Sequence, residues 1–448
     1  VRALVRLLAA NRDYRLLLTA GVISMTGDWV LHVGLTFLVY QITGSTLASG
    51  TMLLASFLPS ILLGSVAGVM VDRWDRRTTM VVANVLQVLG LLPLLTVHDS
   101  GTIWVVYVVA GYQGCVEQFF TPAEQALIPH LVPERDLLGA NGVNSQVRDL
   151  ARLVGSGVGG VIATVGGISG LAFFDAASFA LAAGLLALIR YRPAAVAAPS
   201  AGHGEIGSWS RALADWRAGL RACASSRPLR VILMFGAVTA MGEGIMGTLF
   251  APFVRDVLHG SGSDFGVIVG IQAVGGIVGG LCVTSAGHRW SAYALFGWGA
   301  VAFGMVDLAL FLYPLVLPGI WPALVFMLLV GVPGAFTVAG LMTTFQTVTS
   351  DEYRGRVYGA LNAVEGGAVI VGIAIASWLG ELVGIVPIIA IQGGGYVVGG
   401  LVVLLALRHS PAADVHPERS AEAEADPGLR PGELVAGVGE DAPSTQGA

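Results

Sequence analysis

Lysine is absent from this chain; all 24 basic residues are arginine. Charged residues of both signs fill only 12% of its 448 positions, whereas a soluble domain carries roughly 25%. Cysteines number three, an odd and small count that excludes a disulfide framework. Cys115 and Cys282 fall within apolar runs and Cys223 in a basic loop, so all three are expected as free thiols. No C-x-x-C pair or histidine-rich stretch offers metal-ligand spacing. Phosphate-binding P-loops are missing, as are nucleophile–base pairs at motif spacing. These absences argue against an enzyme and against ATP as an energy source. No cofactor, metal or nucleic acid is expected as a partner. What fills the chain instead is hydrophobic residue, 55% of it. A water-soluble core cannot hide that much apolar surface, so lipid must be the solvent.

A helix needs about 20 apolar residues to cross the hydrocarbon core. Twelve such runs are legible, at 16–40, 46–71, 79–97, 102–122, 140–165, 168–190, 229–253, 263–286, 291–313, 321–345, 357–380 and 385–407. The arginines orient them. Arg2, Arg6, Arg12 and Arg15 precede the first run, and Arg73, Arg76 and Arg77 follow the second. Arg135 follows the fourth, with Arg148 and Arg152 read as the start of the fifth. Arg190 to Arg230 lie between the sixth and seventh, Arg289 follows the eighth, and Arg354 and Arg356 follow the tenth. All fall on one side; only Arg255 falls on the other. The positive-inside rule then puts both termini in the cytoplasm. Val1 to Arg15 show no cleavage-site pattern, so no signal peptide is expected. An all-arginine basic set with abundant Ala, Gly and Val suggests a GC-rich bacterial genome, hence a bacterial cell membrane.

The chain also repeats itself. Gly21 to Asp28 in the first run aligns with Gly236 to Glu243 in the seventh. Asp72-Arg73-Trp74 aligns with His288-Arg289-Trp290, and Gln125 and Asn141 align with Gln346 and Asn362. The expected fold is therefore all-α and integral to the membrane, with twelve transmembrane helices in two pseudo-symmetric six-helix halves. The expected division is residues 1–192, a cytoplasmic linker 193–227 with an amphipathic piece around Trp209 to Leu220, residues 228–410, and a disordered cytoplasmic tail 411–448.

The best repeat match ends on a carboxylate in each half. At 1.5 Å per residue, Asp28 and Glu243 lie roughly 18 to 20 Å into their runs, near the membrane centre. Charge there is costly and cannot face lipid cheaply. Two readings stand for this pair: they line a central cavity and bind a proton, a cationic substrate or both, or they are structural carboxylates hydrogen-bonded to a neighbouring helix. No arginine is expected opposite them at mid-membrane. Glu117 and Glu365, in the cytoplasmic halves of the fourth and eleventh runs, are candidates for the same coupling or for a gate salt bridge. Asp307 reads as an outer gate or folding residue. Asp175, in Phe173-Phe174-Asp175 with Ser178-Phe179 following, reads as a structural hydrogen-bonding residue.

Between the second and third runs, five charges crowd into the six positions from Asp72 to Arg77. With Gly68, this stretch resembles the G-x-x-x-D-R-x-G-R-R loop of major facilitator superfamily transporters. Gly68, Asp72, Arg73, Arg76 and Arg77 match, and Asp75 replaces the second glycine. Phe120 to Pro129, Leu131 to Pro133 with Ala140-Asn141, and Arg354 to Val357 are similar to segments of that superfamily's multidrug exporters, the branch containing macrolide efflux pumps. The fifth run approximates the antiporter motif G-x8-G-x3-G-P-x2-G-G through Gly142, Gly155, Gly159 and Gly160, with Ala151 for a glycine and Ser156 for the proline. Gly64/Gly68 and Gly276/Gly280 read as ordinary helix-packing pairs. Ala110 stands where many proton-coupled exporters have an arginine, three residues before Gln113-Gly114.

The resemblance implies a major facilitator fold and a monomeric secondary transporter. It would export small organic compounds by alternating access, in exchange for a proton or another ion. The loop motif would act as a latch, with Asp72 near the start of the eleventh span and its arginines on Glu124 or Asp149. A transporter of one specific metabolite or siderophore is the alternative within transport. A membrane scaffold or sensor is the alternative outside it.

Overall fold

The structure, a computed structural model, describes residues 11–71, 73–133, 136–190, 209–349 and 351–408. Asp72, the end of the chain after residue 408 and residues 193–208 of the linker lie outside them, so the disordered-tail expectation does too.

Helix α1 (Arg12–Thr43) starts where Asn11 caps it: Asn11 Oδ1 accepts from the Tyr14 amide at 2.9 Å. It stops at Gly44, whose φ of 63° is left-handed and whose N–H donates to the Tyr40 carbonyl at 2.8 Å. Helix α2 (Thr46–Val71) follows at once. Helix α3 (Arg76–Leu91) begins at Asp75, whose carboxylate accepts from the Thr78 amide at 2.7 Å. Asp75 thus has a reason to replace the loop motif's glycine: it caps a helix there. Asp75→Ala should cost about 1 kcal/mol at this helix start. Amide exchange at Thr78 and Thr79 would then quicken roughly fivefold.

Helix α4 covers Trp104–Leu131. The next helical stretch, Leu137–Ala187, is two helices, because Gly167 breaks it with φ 59° and ψ −158°. We number them α5 (137–166) and α6 (168–187). Along α1, position 27 meets 175 and 178 of α6 while position 34 meets 171; by contrast position 26 meets 155 of α5 and position 30 meets 159. One partner number falls and the other rises, so the chain reverses at Gly167. A left-handed φ at that turn suits glycine.

The linker contributes α7 (Trp209–Ser225), then come α8 (Arg227–Pro252), α9 (Gly262–Ala286), α10 (Ala292–Leu312), α11 (Trp321–Val348), α12 (Asp351–Val383) and α13 (Ile385–Leu407). Ten stretches among the described residues are long and apolar enough to cross a membrane. One of them is the α5–α6 pair, and α4 lies beyond the ten, so the twelve expected spans each have a helix. The expected amphipathic piece is α7. It packs on α12 through Gly219, where a Cβ would stand 2.3 Å from the Arg356 carbonyl, and it buries Cys223. Membrane-surface contact alone therefore does not describe it.

In the first half α1 packs on α5 and α6, and α3 on α4 and α6; in the second α8 packs on α12 and α13, and α10 on α11 and α13. The halves meet through α5 on α9 and α2 on α12. Of the small-residue pairs on α9, Gly276 and Gly280 face open space. Gly275 and Gly279, one position earlier, press on the α11 backbone at Leu328 and Val332. The packing stripe is displaced by one residue because the other face lines a cavity.

Candidate functional site

Helical spacing gathers Met25, Asp28, Trp29, His32 and Leu35 on one face of α1. That face opens into a cavity of about 610 Å³. Helix α3 adds Gln87, α4 adds Gln113 and Glu117, and α5 adds Arg148, Asp149 and Arg152. Apolar wall comes from Met52, Leu31 and Val109. Asp28 is midway along its helix, and Glu117 accepts a hydrogen bond from Thr121 at 2.9 Å. A second cavity, about 480 Å³, lies between α5 and helices α9 to α11; Asp149 and Arg152 line both.

Arg152 corrects the expectation that no arginine stands among the mid-membrane acids. Its Nη2 donates to Gln272 Oε1 on α9, in the other half. Its guanidinium lies 5.2 Å from the centre of the Trp29 ring. Its Nε is buried without a hydrogen-bond partner, and Glu243 and Asp149 are within electrostatic reach. Because α5 starts at Leu137, Arg152 stands about 22 Å along it rather than at its mouth. An arginine at that depth is tolerable because it borders the two cavities, where Asp149 also lies, and not lipid. Loop arginines and cavity arginines look alike in sequence, so spacing alone puts it in a flank. His32 was legible, being one turn after Asp28 on the same face.

Glu243 sits at the matching position of α8 but is held differently. Tyr396 on α13 donates its hydroxyl to Glu243 Oε1 at 2.9 Å, and Gln392 Nε2 donates at 3.2 Å. Glu365 abuts α8: a Cβ on Gly236 would lie 2.5 Å from its Oε1. The structure thus brings Asp28 and Glu117 to the 610 Å³ cavity and sets Glu243 and Glu365 in the second half. The glycines before the two mid-helix carboxylates now have a purpose. A Cβ on Gly27 would lie 2.4 Å from Asp175 Oδ1 of α6, and one on Gly242 would lie 3.0 Å from the Gln392 side chain of α13. Gln392 and Tyr396 were findable in the sequence, standing 217 residues after Asp175 and Phe179.

Of the loop motif, Gly68 has open space where a Cβ would be, and Arg73 and Trp74 are exposed. Trp74 stacks on Phe119 with ring centres 5.8 Å apart. Arg76 meets His130 at the end of α4. Arg77 donates to the carbonyls of Leu186, at 3.2 Å, and Ala187, where α6 runs out of intrahelical partners. In this conformation Arg76 and Arg77 hold helix ends of the first half rather than Glu124 or Asp149. The antiporter-like motif splits. Gly155 and Gly159 let α5 approach the α1 backbone at Thr26 and Val30, Gly160 lets it approach Gly262 and Gly266 of α9, and Gly142 faces open space. Ser156, in place of the proline, donates to the Arg152 carbonyl.

At the end of the bundle opposite the arginine-rich loops the halves are joined. Tyr40 donates to Asp256 Oδ2 at 2.5 Å, and Arg255 donates to the Tyr40 carbonyl at 3.2 Å. Ser45 donates to Glu381 at 2.7 Å, Thr46 donates to the Ser377 carbonyl at 2.9 Å, and Phe37 packs on Phe265. Toward the arginine-rich end the 480 Å³ space separates α5 from α9 to α11. Among the described residues, one end is sealed and the other is parted.

The sequence profile of the transmembrane secretion effectors matches residues 8–428. Among curated proteins, the chain is 26% identical to the MFS-type transporter YfiS of Bacillus subtilis, over 87% of this chain and 92% of that one. It is 22% identical to macrolide efflux protein A of Streptococcus pyogenes, over 81% and 88%. Among solved structures, a bacterial homologue of the iron transporter ferroportin in an inward-facing state superposes with a TM-score of 0.71. It is 15% identical, over 88% of this chain and 98% of that one.

Proposed function

Because this chain belongs to the transmembrane secretion effector family of the major facilitator superfamily, it is a multi-pass membrane transporter, and we propose that it exports small amphipathic organic compounds bearing a basic group. The observation that carries this reading is the wall of the 610 Å³ cavity, which sets Trp29, Met25 and Met52 beside the carboxyls of Asp28 and Glu117. An apolar body and a cationic group are what such a wall receives. Export is favoured by the macrolide efflux relative. The arginine-rich end faces the cytoplasm under the positive-inside rule. The parted end is then the cytoplasmic one, from which cargo enters. Alternating access would seal that end and part the Tyr40–Asp256 end. Proton antiport through Asp28 and Glu243 supplies the energy, and the Gly68 to Arg77 loop is the cytoplasmic latch, with Asp72 its acidic member.

Everted vesicles holding a pH gradient test the reading. Adding a transported organic cation to wild-type vesicles is expected to collapse the gradient, and Asp28→Asn is expected to slow that collapse at least tenfold. A wild-type chain that moves no member of a cation panel, or an Asp28→Asn chain that dissipates the gradient normally, sinks it.

A further inference from the structure

A further cavity, about 670 Å³, lies between α3 and α4, apart from the two described above. On α4 it is lined by Cys115, Val116 and Phe119. Gln113 and Glu117 of the same helix face the 610 Å³ cavity. Two residues turn a helix by about 200°, so Cys115 and Phe119 point away from that cavity. On α3 the wall includes Val82 and Leu86, which are 49% and 41% exposed. Apolar side chains exposed on the outside of a membrane helix meet acyl chains. The groove therefore opens sideways to the bilayer.

Its two ends differ. Deep in the membrane α3 and α4 close on each other. There Tyr112 donates its hydroxyl to the Leu86 carbonyl at 3.1 Å, and a Cβ on Gly90 would stand 2.2 Å from the Tyr112 ring. At the arginine-rich end the groove is framed by Arg73, Thr78 and the Trp74 ring stacked on Phe119. From Asp75 to Leu86 it runs about 16 Å along α3, and the hydrocarbon of one leaflet is about 15 Å thick. The groove is thus one leaflet deep. Its apolar wall gives an acyl chain dispersion contact and gives water no hydrogen-bond partner.

Charge at the mouth selects the occupant. Arg76 is engaged by His130, and Arg77 by the carbonyls of Leu186 and Ala187. The Arg73 guanidinium and the Thr78 hydroxyl are exposed and make no hydrogen bond among the described residues. Asp75 also lines the mouth, where its carboxylate accepts from the Thr78 amide at 2.7 Å. We propose that this groove binds one anionic phospholipid of the cytoplasmic leaflet, with its phosphate on Arg73 and one acyl chain between α3 and α4. Basic pockets between membrane helices on the cytoplasmic side suit anionic headgroups. An organic cation is a poor occupant, because Arg73 repels it. The site goes beyond the export reading and does not depend on proton antiport.

The test is photo-crosslinking of the full chain in phosphatidylcholine vesicles. These contain a small share of phosphatidylglycerol with a diazirine on one acyl chain. Crosslinks are expected in peptides carrying residues 78–86 and 115–119, and unlabelled phosphatidylglycerol should compete them away while extra phosphatidylcholine does not. Arg73→Gln is expected to cut their yield about fivefold, the worth of one arginine at an anionic surface. Val82→Trp fills the groove and should remove them with Arg73 still present; it gives an answer even if Arg73→Gln does not fold. Equal labelling by a diazirine phosphatidylcholine, or full labelling of a folded Arg73→Gln or Val82→Trp chain, overturns the site. Displacement of the probe by a tetraphenylphosphonium salt but not by phosphatidylglycerol also overturns it, and makes the groove a side entrance for cargo.

Discussion

Gly160→Leu is expected to abolish transport by preventing the sealed end from closing. A Cβ at residue 160 would stand 2.3 Å from the Gly262 carbonyl and 3.0 Å from the Gly266 Cα. Both are backbone atoms and cannot rotate away. Helix α5 is also fixed from behind, because Gly155 and Gly159 press on the α1 backbone. The bulk must therefore part α5 from α9. Overpacking of this kind costs roughly 1 to 3 kcal/mol, enough to shift a two-state equilibrium about fivefold to 150-fold. The readout is a crosslink between Thr164→Cys and Ser263→Cys in a chain whose three cysteines are replaced. Those hydroxyls are 3.3 Å apart in the sealed end. The crosslink should form readily with Gly160 and at least fivefold less with leucine. Unchanged crosslinking and transport would mean that this contact does not govern closure.

Arg152→Gln is expected to tighten binding of organic cations while slowing their turnover. The guanidinium adds positive charge to both cavities and ties α5 to Gln272 of the other half. For unit charges roughly 6 to 12 Å apart at an effective dielectric near 20, Coulomb's law gives about 1 to 3 kcal/mol of repulsion between Arg152 and a bound cation. Removing it should lower KM about tenfold or more. Release suffers for the same reason, and losing the cross-half hydrogen bond removes a contact that must be exchanged during the cycle. We therefore expect kcat to fall at least tenfold in proteoliposomes. Arg152→Lys should restore the charge but not the planar stacking on Trp29, and so recover only part of kcat. A rise in KM with unchanged kcat would place Arg152 among groups that attract cargo instead.

Apolar runs, arginine flanks and the internal repeat were enough to read the all-α membrane architecture, the twelve spans and the equivalence of Asp28 with Glu243. Those properties follow from solvent and chain geometry. A bilayer requires about 20 apolar residues per helix, and a repeat carries its helix contacts with it. The loop from Gly68 to Arg77 pointed to the superfamily, and the profile match over residues 8–428 agrees. Local chemistry was legible in part as well: Asp75 precedes a helix start, and its capping role needs only three residues.

Tertiary structure decided what each charge faces. Sequence placed Arg152 in a flank because a basic residue near an apolar run is ordinarily a loop residue; only the packing of α5 between α1 and α9 brings it to mid-depth over Trp29. Glu243 and Asp28 looked alike in the repeat, yet the Gln392 amide and the Tyr396 hydroxyl donate to one, while the other opens into the cavity that Glu117 also lines. That difference is set by α4 and α13, each far along the chain from the carboxyl it meets. A chain shows which residues could meet, but desolvation, hydrogen-bond satisfaction and charge pairing depend on distances that only the folded helices set.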